Sequence, residues 1–208
     1  MTSAGTARLP RRFFARPSTI VARELLGRTL VRAEARGGRT AARIVETEAY
    51  EETDPASHSF RGMTARNAVM FGPAGHLYVY FTYGMHFCMN VVTDRPGRGS
   101  AVLLRAAEPL DGIRAMRRRR ETQDVRSLCS GPARLTQAFR IDRRFDGTDI
   151  VEGGTLWIER ASPVPDALVD VGPRVGIRAG VEQPWRFSVR GDPFVSRSRP
   201  TPAARLRG

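Results

Sequence analysis

The chain has 208 residues, 41% of them apolar, and a net charge of +13 at pH 7. That length and apolar share suit one domain with a sizeable core and exclude disorder throughout. No run of about 18 apolar residues exists to span a membrane, and the N-terminus lacks the apolar core of a signal peptide. All basic residues are arginine. A G+C-rich genome accounts for the missing lysine, but not for the surplus of base over acid. That surplus points to a polyanion, most simply nucleic acid. Cys88 and Cys129 lie far apart in apolar surroundings, as reduced core thiols of a cytosolic protein.

Residues 1–12 are polar, basic and carry Pro10, and read as a flexible tail. Ser18 reads as the N-cap of a short helix through Val21, Leu25 and Leu26, stopped by Gly27. Residues 29–33 and 39–49 read as two strands joined at Gly37-Gly38. In the second, Ile44, Glu46 and Glu48 share one parity, and Val45, Thr47 and Ala49 the other. An acidic loop follows, then a helical turn over 66–71. Strands over 76–82 and 87–92 flank a tight reversal at Tyr83-Gly84-Met85. A further strand covers 100–106. Leu110, Ile113 and Met116 have helical spacing and lead to Arg117-Arg118-Arg119-Arg120, with a polar linker over 121–127. Pro132 opens the next helix, with Leu135, Ala138 and Phe139 on one face. Late strands fall at 155–159 and 185–190, and residues 197–208 are basic and Pro-bearing. Hairpins without regular β-α alternation predict an α+β fold. It would be a single domain with a curved, mostly antiparallel sheet, flanking helices and a protruding β-hairpin.

All four tyrosines and all three histidines lie between residues 50 and 86. Glu48 sits in a half-apolar strand. A strand carboxylate is more often a solvated residue, but Tyr50 projects from the same face, and a carboxylate flanked by rings can deprotonate water. Tyr78 and Tyr80 share one strand face, and Tyr78 reads as sheet packing. Tyr83, beside Gly84 at the tip of a turn, is poorly placed for a core and suits a wedge between bases. His58 alone in a loop is most simply a solvated side chain. With no His-x-x-x-His or Cys-x-x-Cys pattern, metal binding has little support. Arg105 reads as a strand-end charge in water, or as a group that holds a phosphate or a water. The arginine run at 117–120 is most simply a solvated helix end that suits the dipole.

Glu46-Thr47-Glu48-Ala49-Tyr50, Ser57-His58-Ser59, Arg66-Asn67, Leu77-Tyr78-Val79-Tyr80, Tyr83-Gly84-Met85, Phe87-Cys88-Met89-Asn90, Leu103-Leu104-Arg105-Ala106 and Leu128-Cys129-Ser130-Gly131-Pro132 occur in one order. In that order they resemble the alkyladenine (3-methyladenine, methylpurine) DNA glycosylase family. The match runs over residues 10–196, with Arg174-Val175-Gly176 and Arg186-Phe187-Ser188 as late support. The resemblance implies one glycosylase domain over 10–196 with basic tails at 1–9 and 197–208, no cofactor and no metal. It implies double-stranded DNA carrying damaged purines as partner; one wedge and one pocket suffice, so a monomer is expected, cytoplasmic and associated with the nucleoid in a bacterium. Glu48 would activate water, and Arg105 would help hold it. Tyr50, His58 and Tyr80 would wall the base pocket, with Asn90 at its floor. Tyr83 would enter the duplex, and Arg66, Met85 and His86 would meet the DNA backbone. His86 and Phe194 depart from the residues of animal relatives. Absence of a side-chain amine implies hydrolysis without a lyase step. A non-catalytic nucleic-acid-binding domain explains the charge and the rings equally well, and an enzyme acting on RNA or in formyl transfer is a second alternative.

Overall fold

The computed structural model describes residues 7–34, 37–82 and 84–197. Twelve elements carry the fold among them: α1 (Arg11–Phe14), α2 (Ser18–Leu25), β1 (Thr29–Ala33), β2 (Arg39–Tyr50), β3 (Leu77–Thr82), β4 (His86–Val92), β5 (Ala101–Asp111), α3 (Ile113–Arg120), α4 (Pro132–Ala138), β6 (Leu156–Glu159), β7 (Val169–Gly172) and β8 (Arg186–Val189). Short 3-10 turns punctuate the loops, one of them at Ala68–Phe71. The strands form one antiparallel sheet in the order β3-β4-β5-β2-β1-β6, with β8 pairing to both β2 and β7. This is the expected α+β class with its curved antiparallel sheet.

One face of the sheet packs against the helices. Val21, Ala22 and Leu25 of α2, Met116 of α3 and Leu135 of α4 are fully buried there with Leu77, Val79 and Leu104. Each such side chain contributes roughly 1.5–3 kcal/mol by leaving water. Thr47 Oγ1 donates to the Ala22 carbonyl at 2.8 Å, so this side chain of β2 points at α2. Tyr78, Val92, Ala101, Met70 and Phe71 make a smaller cluster with Tyr80 packed against it. The alternation read from the sequence holds in β3: Leu77 and Val79 enter the helix-side core, and Tyr78 and Tyr80 turn away from it.

Four expectations are corrected. Residues 7–12 are not a loose tail. Leu9 donates to Ile158 and Arg160 to Ala7, extending the sheet edge beyond β6, and Leu9 is buried. Residues 1–6 and 198–208 lie outside the described residues. Ser18 is the first helical residue rather than the cap. Pro17 precedes it as N-cap, and the Ser18 hydroxyl donates to Glu51 Oε1 at 2.9 Å. Leu110 belongs to β5, not to the following helix. Gly112, at φ +72°, ends the strand and starts α3, and a Cβ there would come within 2.8 Å of the Arg39 carbonyl. Arg105 is therefore mid-strand, not at a strand end.

The fourth correction shapes the site. Pairing of β2 with β5 is irregular between Ile44 and Thr47. The helix-side core takes Ala42 and Ile44, then Ala49, so the inward parity of β2 flips across the irregularity. On β5 it takes Val102 and Leu104, then Ala107. Ile44 thus does not share a face with Glu48. Both glutamates are turned to the opposite face, together with Arg105.

Candidate active site

Cross-strand partners in an antiparallel sheet stand on the same face. The register pairs Tyr78 with Asn90, Asn90 with Leu103, and Leu103 with Glu48, one row across four strands. Tyr80 pairs with Cys88 in the adjoining row. Above them lies a cleft of about 560 Å³, bounded by Tyr50, His58, Tyr78, Tyr80, Asn90 and Arg105 and closed on one side by residues 175–179. Pro132, in the first turn of α4, completes the wall.

Glu48 stands behind that wall with no exposed surface. Its Oε2 accepts the Tyr50 hydroxyl at 2.9 Å and lies 3.2 Å from Arg105 Nη1. Its Oε1 accepts the backbone N–H of Val175 at 2.7 Å. Arg105 is 3% exposed and gives its Nε to Glu46 Oε1 at 2.8 Å. Glu46 is equally buried, and also accepts Arg186 Nε at 2.7 Å and the Ser196 N–H at 2.8 Å. Burial pushes the Glu46 carboxyl up, but Arg105, Arg186 and Ser196 outweigh it and hold it below the usual carboxylate range. Burial lowers the hold of Arg105 on its proton; Glu48 and Glu46 reverse that, so its charge is secure. A buried ionic cluster is a weak source of stability, because desolvation offsets most of the attraction. It does fix geometry: a carboxylate and a guanidinium are clamped beside the cleft.

His58 meets both Tyr78 and Tyr80 edge to face. His58 meets Tyr80 with centroids 4.5 Å apart, and its Nδ1 is 2.9 Å from the Tyr78 hydroxyl. Tyr78 and Tyr80 are stacked at 5.4 Å. Burial drives the Tyr50 hydroxyl well above the phenol range, and Glu48 adds to it, so Tyr50 remains a donor. Burial does the same for Tyr80. Partial desolvation, and then Arg66, push the His58 imidazole below its usual range. The loop that presents His58 is knotted by Asn67, whose Nδ2 donates to the carbonyls of His58 at 2.8 Å and Gly62 at 3.1 Å. Asn90 is 5% exposed, and its Nδ2 donates to the Tyr78 carbonyl at 3.3 Å.

The fold thus brings together Glu48, Arg105, Tyr50, His58, Tyr80 and Asn90. It leaves Arg66, Met85 and His86 exposed outside the cleft, with Met85 68% exposed at the β3–β4 turn. Tyr83, expected as the wedge, lies outside the described residues. Sequence reading missed several groups. Tyr78 was read as packing, yet it also lines the cleft and bonds to His58. Cys88, Met70 and the 175–179 loop drew no role. Glu46 drew none either, although its parity with Glu48 was the available signal. Among the described residues no group of three or more His, Cys, Asp or Glu side chains is placed to hold a metal ion, and no helix is long and apolar enough to cross a membrane.

A buried acid held by a guanidinium, set behind the wall of a ring-lined cleft in so basic a chain, fits a DNA glycosylase. Residues 12–193 match the family model described as methylpurine-DNA glycosylase, and the chain belongs to that family. It is 50% identical to a protein of Carboxydothermus hydrogenoformans over 91% of this chain and 98% of the relative. A Burkholderia lata protein is 52% identical and a Streptomyces avermitilis protein 51% identical, each over 90% of both chains. All three bear the name "Putative 3-methyladenine DNA glycosylase". The expected family is therefore the observed one, and DNA is the partner.

Proposed function

We propose that this chain, acting as a monomer over residues 10–196, turns an alkylated or deaminated purine out of duplex DNA and hydrolyses its N-glycosidic bond without metal or cofactor. The observation that carries the proposal is the Glu48 carboxylate, buried against Tyr50 and Arg105 at the edge of the aromatic cleft. A purine inside a duplex is out of reach, and extruding it costs a few kcal/mol, least for a poorly paired base. Tyr83 offsets part of that cost by filling the gap, while Arg66, Met85 and His86 rest against the DNA backbone. Tyr50, His58 and Tyr80 embrace the extruded base. N-alkylated purines often carry a positive ring, which electron-rich faces attract by about 0.5–2 kcal/mol per contact. A His58 held below its usual pKa range stays neutral near pH 7 and does not repel that cation.

As the glycosidic bond breaks, its electron pair passes to the purine, which neutralises an N-alkylated cationic ring and requires a proton from solvent on a deaminated one, and the sugar gains oxocarbenium character. Glu48 stabilises that charge and takes a proton from the water attacking C1′. Water gains access to Oε2 when the Tyr50 hydroxyl exchanges its bond to the carboxylate for one to the incoming molecule, while Val175 and Arg105 keep the carboxylate aimed. The chain has no lysine, so a Schiff-base lyase step has no side-chain amine. Incubation with duplex DNA bearing one alkylated purine is expected to give free base and an intact abasic strand. Strand scission, or a borohydride-trapped adduct, would refute monofunctional hydrolysis. Binding with no base release would favour a non-catalytic DNA-binding domain.

Asn90 supplies discrimination. Its amide stands at the cleft floor, where the 2-amino group of guanine would crowd it and leave polar groups unpaired. Asn90→Ala is expected to raise release of unmodified guanine from duplex DNA while sparing excision of alkylated adenine. Unchanged guanine release would remove that role.

A further inference from the structure

We infer that Arg174 is a positioning residue for Glu48, acting through the loop that it nails to the sheet. Arg174 is 1% exposed, and its ion pair with Asp54 has no exposed side-chain surface on either partner. Its Nη1 donates to Asp54 Oδ2, and at 3.0 Å to the Ala49 carbonyl of β2. Its Nη2 donates to Asp54 Oδ1 at 2.9 Å and to the Gly180 carbonyl at 3.0 Å. Its carbon centre lies over the Tyr50 ring at 4.7 Å and the Trp185 ring at 5.3 Å. One guanidinium thus joins β2, the loop before Ser57-His58, and both flanks of the 175–179 wall. The planar fork suits these four acceptors and two rings together, as an ammonium would not.

The consequence lies one residue on. Val175 N–H is the group bonded to Glu48 Oε1, at 2.7 Å. With Arg174 anchored, that N–H cannot rotate away, so Glu48 keeps Oε2 toward Tyr50, Arg105 and the cleft. Arg174 also backs the Tyr50 ring, whose hydroxyl is the second donor to Glu48. Gly180 makes the close approach possible. It sits at φ +60°, and a Cβ there would come within 2.6 Å of Asp54 Oδ1 and 3.0 Å of Arg174 Nη2. Arg174 is not among the residues that line the cleft. It sets the aim of Glu48.

The inference rests on the glycosylase reading above, and the test separates the two. Arg174→Lys and Gly180→Ala are compared with wild type, with enzyme in excess over duplex DNA containing hypoxanthine or 7-methylguanine. Loss of aim lowers the single-turnover rate constant by roughly 10- to 100-fold. It does so on both substrates, with lesion-DNA affinity and final product amplitude retained. A purely structural role lowers the amplitude with the folded fraction and leaves the rate constant alone, and that result would overturn the inference. Gly180→Ala keeps both charges, so it still decides the matter if Arg174→Lys fails to fold. A wild-type protein that releases no base would instead sink the glycosylase reading.

Discussion

Glu48→Gln is expected to lower base release by about 10²–10⁴-fold, the usual contribution of a positioned acid or base, while lesion-containing duplex is still bound. Gln is nearly isosteric and can still accept the Val175 N–H. What it loses is the negative charge beside Arg105 and the capacity to take a proton from water. The loss should therefore fall on the rate constant rather than on affinity. Wild-type turnover in this variant would show that another group activates water. Loss of binding along with turnover would indicate that Glu48 acts chiefly in assembling the cleft.

Arg105→Met is expected to damage stability as well as activity. It removes the Nε bond to Glu46 and leaves Glu48 without its guanidinium neighbour, both carboxylates being fully buried. Breaking one partner out of a buried ionic cluster costs about 3–5 kcal/mol. In a chain of this size that corresponds to a melting temperature lower by about 6–20 °C. The pH dependence has a definite sign. In the wild type the folded Glu46 carboxyl is held below its unfolded value. Its stabilisation is therefore present above the unfolded carboxylate pKa and is lost as pH falls through the lower, folded value. Without Arg105, two facing carboxylates repel, and taking up a proton relieves them. The deficit of Arg105→Met relative to wild type should shrink from pH 7.5 to pH 5 in thermal melts. An equal deficit at both pH values would show that lost packing, not charge, explains the effect.

Much of this site can be read from spacing. Strict alternation in β3 separates Tyr78 and Tyr80 from Leu77 and Val79, and Tyr50 sits two residues from Glu48. These are local relations that a strand enforces whatever surrounds it. The irregular pairing near Ile44 is different. It arises where β2 meets both β5 and β8, so the parity of Ile44, Glu46 and Glu48 misleads by itself. Leu110 has helical spacing to Ile113, yet pairing of Pro109 and Asp111 with β2 keeps it in a strand until Gly112 turns the chain. The short α1 has only four residues, too few for a periodic pattern. Arg174 was visible only as part of a motif. Its carboxylate partner lies 120 residues away, and nothing local announces a buried guanidinium. The basic surplus, by contrast, needs no fold to be read, and it points to a nucleic-acid partner.

The central claim is that a swung-out purine lies in this cleft with its sugar facing Glu48. A crystal structure of Glu48→Gln with duplex DNA carrying a single damaged purine tests it most directly. The expected result is the purine between Tyr50, His58 and Tyr80, with Asn90 beside its 2-position, Tyr83 in the vacated stack and C1′ facing residue 48. A purine still stacked in the duplex, or lodged away from this cleft, would contradict it.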